Sequence, residues 1–497
     1  MIDMGNGSFL AYTQGDHSTL LSMSTDNSAL NATLESNYVA DSSMGGYGYA
    51  GLGLLALAGA AGGSSSSSSS SSSSVISAAQ SDTVANLKET FGSTTNNTAT
   101  VTITDADATA IDATDLSAIG AATSGAVTVT NAIAISGTQA EITAALVTTD
   151  TLVVAATATV TSSDAMSVAE ANAVDAKTSG VITATLDTGD TASYSTLTGT
   201  GNAYTVTVND ANTTAITATA LSTLGGKTTG TVTVSNAIAI SGTQAEVTAA
   251  LVTTDTLVVA GTATATISDA AEVAITATAL SAIGGKTSGA VTVTNAIAIS
   301  GTQSEITAAL VTPGTLVLAA TATVTSSDAM SVTEANAVDA KTSGVITATL
   351  DTGDAASFSG LTGTDNAYTV TVSGSISVTN VNTLDTKTTG AITATVISAT
   401  AATLTTVTIN DANSNNDIDV AVTALHSTLA ADLSGLSTTS GTVTAAFDSS
   451  GTFTGDLGSA VVTVADGATM TAASTVLDGK TINNSTSGAV TVDISGL

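Results

Sequence analysis

Residues 163–186 read SDAMSVAEANAVDAKTSGVITATL, and the fold can be built outward from them. Ser167, with Glu170 three positions on, forms a capping box, the side-chain signature of a helix start. Val168, Ala171 and Val174 follow at helical spacing and face a core. Lys177 falls in the last turn, where a cation suits the helix dipole. Gly180 stands where a helix commonly closes, at C′. VITATL, 181–186, then alternates apolar residues with Thr, which predicts a strand with one buried face. Strand, turn, short helix and turn thus fit into about 25 residues.

The same order recurs along the chain. Segment 131–208, from NAIAISGTQAEITAALV to NAYTVTV, returns almost unchanged at 295–372, and a third partial copy starts at Asn236. Eight glycines, Gly125, Gly180, Gly230, Gly289, Gly344, Gly390, Gly441 and Gly488, each follow Ser or Thr and open G-x-[VI]-T-[VA], at spacings of 46–59 residues. In AVTVT, 126–130, Val127 and Val129 point inward and Thr128 and Thr130 outward. A second helix is predicted from Ser136 with Gln139, and again from Ser241 with Gln244 and Ser300 with Gln303. These repeats predict a right-handed parallel β-solenoid with short helices between strands, about 25 residues per coil and about 50 per double coil. Roughly sixteen coils at the ~4.8 Å strand spacing give a rod about 75 Å long.

Composition agrees. The 497 residues include 40 carboxylates, seven Lys and no Arg, for a net charge of −33; 9% are charged, 2% aromatic and none Cys. Disulfide scaffolds and thiolate metal sites are excluded. A phosphate-tracking surface is disfavoured, so no nucleic-acid partner is expected. Small β-branched residues and Ala fill the narrow core of stacked coils without aromatics.

The first 96 residues differ. Residues 1–49 hold five of the twelve aromatics and form a separate segment, a small assembly or retention element. The apolar stretch AGLGLLALAGAAGG, 50–63, is too short to span a bilayer comfortably, so an integral membrane protein is not expected. Eleven Ser, 64–74, form a flexible linker. Residues 75–96 supply a capping helix with Ile76, Val84, Leu87 and Phe91 on its apolar face, and 97–497 form the repeat domain. The chain stops at Leu497, nine residues after Gly488. A bare strand edge there invites another chain, and head-to-tail contacts grow filaments.

The pattern DA…A…A…TSG-x-[VI]-T-[AV]-T resembles the repeats of very large secreted surface proteins of marine cyanobacteria and other bacteria. GLGLLALAGAAGG followed by poly-Ser resembles the Ala/Gly-rich region near the N-terminus of large type I-secreted adhesins. The resemblance implies export to the cell surface and use as a stalk or adhesive array, with surface glycans or other cells as partners. The acidic nonapeptide calcium repeats of that family are absent.

Several residue sets invite a chemical reading. Asp105, Asp164, Asp210, Asp269, Asp328 and Asp411 recur at the end of the second strand run. They form either a ladder of calcium ligands or turn residues bonding the N–H groups of the next helix start. Asp411, Asn413, Asn415, Asp417 and Asp419 alternate in NDANSNNDIDV and match the opening half of a calcium loop, though Asn416 replaces the usual Gly and Val422 the closing Glu. Lys177, Lys227, Lys286, Lys341 and Lys387 stand three residues before a repeat glycine, as helix-end cations or as a row for an anionic glycan. Thr128, Thr183, Thr233, Thr292, Thr347, Thr393, Thr444 and Thr491 recur on the outward strand face, as polar β-formers or as an ice-binding array.

Catalysis finds little support. His17 and His426 are the only histidines and lie in different regions, and no phosphate loop or dinucleotide fingerprint is present. The sequence predicts a non-enzymatic, extracellular structural repeat protein: stalk, matrix component, adhesin or filament subunit. A calcium-dependent binding module, an ice-binding surface and a polysaccharide-cleaving β-helix are the alternatives.

Overall fold

The computed structural model describes residues 75–94, 96–404, 407, 416–436, 441–485 and 491–495. It also gives the backbone of four strands, Ile2–Asp3, Ser8–Tyr12, Ser18–Ser22 and Thr33–Glu35. The chain divides into two compact units, Met1–Ser70 and Ser71–Leu497. In the first, the four strands form an antiparallel sheet in chain order, with Leu10 opposite both Ile2 and Leu20. The apolar and poly-Ser stretches, 50–63 and 64–74, lie outside the described residues.

The second unit is built from parallel sheets alternating with short helices. Most strands add onto the strand of the preceding repeat, and a few open a new sheet. The step ranges from 26 residues, where Val101 faces Val127, to 17, where Ala445 faces Val462. Between strands run eight-residue helices such as Gln139–Leu146, Val168–Asp175 and Gln244–Leu251. Among the described residues no sheet closes into a barrel.

Alternation sorts the strand residues as predicted. Val127 and Val129 are buried and Thr128 and Thr130 exposed. Ala171 and Val174 are buried under their helix, and Val168 packs against the core edge. The Ser167–Glu170 capping box forms, with both reciprocal bonds present. The other predicted helix starts two residues later than expected. Its caps are Thr138 with Glu141, Thr243 with Glu246 and Thr302 with Glu305, while Ser136, Ser241 and Ser300 sit in strands. The β-pattern of AIAIS claims those serines before the helix begins.

Residues 75–96 contain more than a helix. Strand Gln80–Asp82 pairs in parallel with Val101–Ile103 before helix Val84–Phe91 buries Val84, Leu87 and Phe91. The segment is built like the repeats that follow it.

The core is also less uniform than composition suggests. Its largest fully buried side chains include Tyr204, Tyr368, Phe447 and Phe453. Tyr204 lies opposite Ala184 and Tyr368 opposite Ala348, so a large ring is paired with a small neighbour in the adjacent strand. Both tyrosine hydroxyls are buried without a hydrogen-bond partner among the described residues. Burial, helped by Asp175 and Asp339 respectively, pushes them well above the ordinary tyrosine pKa.

Candidate functional site

The recurring aspartates cap helices, but in the direction opposite to the one expected. Asp164 accepts from the backbone N–H of Gln139 (2.5 Å), Asp269 from Gln244 (2.6 Å) and Asp328 from Gln303 (2.5 Å). Each N–H opens a helix of the preceding repeat, 25 residues earlier. Asp105 does the same for Val84 (2.8 Å), 21 residues earlier, and Asp210 takes both the N–H and the hydroxyl of Thr191 (2.7 and 2.6 Å), which opens a turn rather than a helix. The unit-to-unit stack places the strand-end carboxylate beside the previous helix start, not the following one. In three of these helices the N-cap Thr serves the third N–H and the later Asp the first, so two orphan donors are satisfied from two repeats.

The repeat glycines have a different purpose from helix closure. Helix Val168–Asp175 is capped by Ala176, four residues before Gly180. A Cβ at Gly180 would stand 2.2 Å from the carbonyl oxygen of Ala158, in the preceding repeat. The equivalent distances are 2.1 Å at Gly125, 2.3 Å at Gly230, 2.2 Å at Gly289, Gly344 and Gly441, and 2.4 Å at Gly390. Only a residue without a side chain lets consecutive repeats approach this closely. Gly488 lies outside the described residues.

The Thr two residues before each of six glycines bridges the same contact. Thr228 Oγ1 donates to Tyr204 O (2.8 Å) and accepts from Gly230 N–H (2.9 Å). Thr123, Thr178, Thr287, Thr342 and Thr388 make the same pair of bonds. Buried asparagines do comparable work. Asn202 accepts from Ile182 N–H (2.8 Å) and donates to Asp175 (2.7 Å). Asn366 accepts from Ile346 N–H (2.7 Å) and donates to Asp339 (2.7 Å). Sequence inspection missed these asparagines because their partners lie a full repeat away.

The five lysines sit just past the helices, which end at Asp175, Gly225, Gly284, Asp339 and Asp385, rather than in their last turns. Their backbone N–H groups close those helices, as from Lys177 to Val174 O (2.9 Å) and from Lys341 to Val338 O (2.8 Å). Among the described residues the one ion pair is Lys88 with Asp115, at 2.5 Å.

Outward Thr and Ser stand in register across strands. Thr276, Ser300, Thr325 and Thr347 form one column and Thr217, Ser241, Thr266 and Thr292 another.

Of the proposed calcium loop, Asp411, Asn413 and Asn415 lie outside the described residues. Asp417 and Asp419 share the exposed face of strand Asp417–Thr423. The Asp419 carboxylate accepts from Thr442 Oγ1 (2.6 Å) and N–H (3.0 Å), which holds its pKa below the usual carboxylate value. Asn416 is fully buried and accepts from Ile392 N–H (2.8 Å), the role Asn202 and Asn366 play earlier. Among the described residues no group of three or more His, Asp or Glu side chains could hold a metal ion. His426 packs edge-on against Phe447, with ring centroids 6.3 Å apart. His17 lies outside the described residues.

Two equivalent open grooves, about 560 and 550 Å³, flank Gly284–Gly289 and Gly120–Gly125. Gly, Ser and Thr line about half of each wall, with Pro313 and Leu316 beside them in the first groove and Asp150 and Leu152 in the second. Among the described residues no helix is long and apolar enough to cross a membrane. No family model, curated protein or solved structure matches the chain.

Proposed function

We propose that the protein is a non-catalytic structural repeat protein of the cell exterior, a right-handed β-solenoid that serves as a stalk, matrix component, adhesin or filament subunit. One observation carries this reading: the polar residues that recur are largely spent on joining one repeat to the next. The aspartates, the TSG or TTG threonines and the buried asparagines all bond across repeats. The glycines recur because repeats touch there. A chain whose regularity is invested in stacking is built for length and stiffness. Right-handed connections follow from the general preference of parallel crossovers.

Self-association head to tail belongs to the same proposal. The outermost strands, Gln80–Asp82 and Thr491–Ser495, pair on one side only among the described residues, and Ile494 is 43% exposed. Electron microscopy of the purified protein tests it. Filaments that lengthen with concentration are expected, and isolated rods at every concentration would refute assembly.

The in-register hydroxyl columns favour one second reading, an ice-binding face. An ice-recrystallisation assay showing no inhibition excludes it.

A further inference from the structure

The stretch NAIAISGTQ occurs three times, and each time one sheet ends and another begins. Sheets end at Val153–Val154, Val258–Val259 and Val317–Leu318. New sheets open at Ala110–Asp112, Ala215–Thr217 and Ala274–Thr276. Val154, Val259 and Leu318 stand opposite the outward Thr128, Thr233 and Thr292, and are 46%, 45% and 47% exposed, so the three sheet ends are built alike.

Two residues before each opening strand the backbone turns left-handed at a residue that is not glycine: Ala108 (φ 59°), Thr213 (φ 62°) and Glu272 (φ 64°). L-residues, Thr above all, avoid this region, so surrounding contacts must impose it. They are the same at all three places. The N–H groups of Ala108, Thr213 and Glu272 donate to the carbonyls of Ala132, Ala237 and Ala296, each at 2.8 Å. The amides of Asn131, Asn236 and Asn295 donate to the carbonyls of Asp105, Asp210 and Asp269, at 2.7, 2.8 and 2.6 Å. Ala134, Ala239 and Ala298 then donate to Thr109, Thr214 and Val273, each at 2.9 Å.

We infer that NAIAIS and the turn it clamps form a joint, which transfers the growing ladder from one sheet to the next. The segment between equivalent points of two joints is an exchangeable cassette, and the number of cassettes sets the number of sheets and the length of the body. The inference holds whether or not the protein assembles into filaments.

Excision of residues 236–294 tests it. That cut removes one joint-to-joint period and joins Ser235 to Asn295, so that Val232 meets Val317 as Val291 does now. The shortened protein should keep the parent's circular dichroism per residue and melt within about 4 °C of it. Excision of 236–281 instead joins Ser235 to Ala282 inside a helix and should abolish folding. If the first variant unfolds, or both fold equally well, the cassette is refuted. The intact chain gives an independent reading of the joints by hydrogen exchange. Val153–Val154, Val258–Val259 and Val317–Leu318 should exchange like loops, and the strands Thr159–Met166, Thr264–Ile267 and Thr323–Ser326 slowly. Equal protection would mean a continuous ladder and no joint.

Discussion

The two long copies, 131–208 and 295–372, share almost every contact until their last residue and then part. In the first, strand Ala203–Val208 ends, Asp210 bonds Thr191, Thr213 turns left-handed and a new sheet opens at Ala215. In the second, the strand runs on as Ala367–Ile376. Its register shifts between Thr371 and Ser375, Gly374 takes the positive φ (77°), and helix Val378–Asp385 follows directly. The difference is NDANT against SGSI. The copies differ at nine of 78 positions, so the change of sheet goes with the residues after 208 and 372, together with Thr191, whose hydroxyl bonds Asp210 and whose counterpart is Ala355. A second contrast lies inside the copies. Tyr194 Oη donates between the carbonyls of Asp187 (2.7 Å) and Thr207 (2.8 Å), whereas its counterpart, Phe358, has no hydroxyl.

The largest losses are expected at the glycines. Gly230→Ala and Gly390→Ala each push a methyl onto a carbonyl of the preceding repeat, and each should cost about 3 kcal/mol, the upper range for overpacking. Thermal unfolding that separates the two would show that the copies pack differently. Next, Asn202→Ala and Asn366→Ala should each lose about 1–3 kcal/mol, because a buried backbone N–H is stranded in both. Denaturant midpoints measure this, and again equality is the prediction.

The third pair should move in opposite directions. Tyr194→Phe should lose about 1 kcal/mol, and Phe358→Tyr should gain a similar amount by reaching the carbonyls of Asp351 and Thr371. A smaller change, Thr213→Gly, should stabilise by up to about 1 kcal/mol by relieving left-handed strain, while Gly374→Ala should destabilise.

The smallest effect is electrostatic. Glu246 and Glu305 have pKa values below the usual Glu value, first because of the Thr243 and Thr302 backbone N–H groups and then because of the Thr219 and Thr278 hydroxyls of the preceding repeat. The stabilisation they lend is complete above the unfolded Glu pKa of about 4.3 and is lost as pH falls through the depressed folded values. An NMR titration should show Thr219→Val raising the Glu246 pKa and leaving Glu305 unmoved.

Much of this was legible in the chain. Alternation placed Val127 and Thr128 on opposite faces, and Ser167 with Glu170 marked a helix start to the residue. What stayed hidden depends on neighbours a repeat away. Asp164 looks like a cap for the helix after it, because no local signal shows that the stack brings it to Gln139. Gly180 resembles a helix terminator, because the Ala158 carbonyl that excludes a side chain is 22 residues distant. The turns that open new sheets use Ala, Thr and Glu, three residues with no shared turn preference, so nothing in their identity announces a left-handed backbone.

The aspartate caps also give the chain an order of completion. A helix such as Gln139–Leu146 closes its first N–H only when Asp164 arrives from the repeat after it. During synthesis, N-terminus first, the newest repeat is always the unfinished one, and each arrival finishes its predecessor. Folding then proceeds as a zipper with a single direction, and the most vulnerable part of a nascent molecule is the repeat that has just emerged.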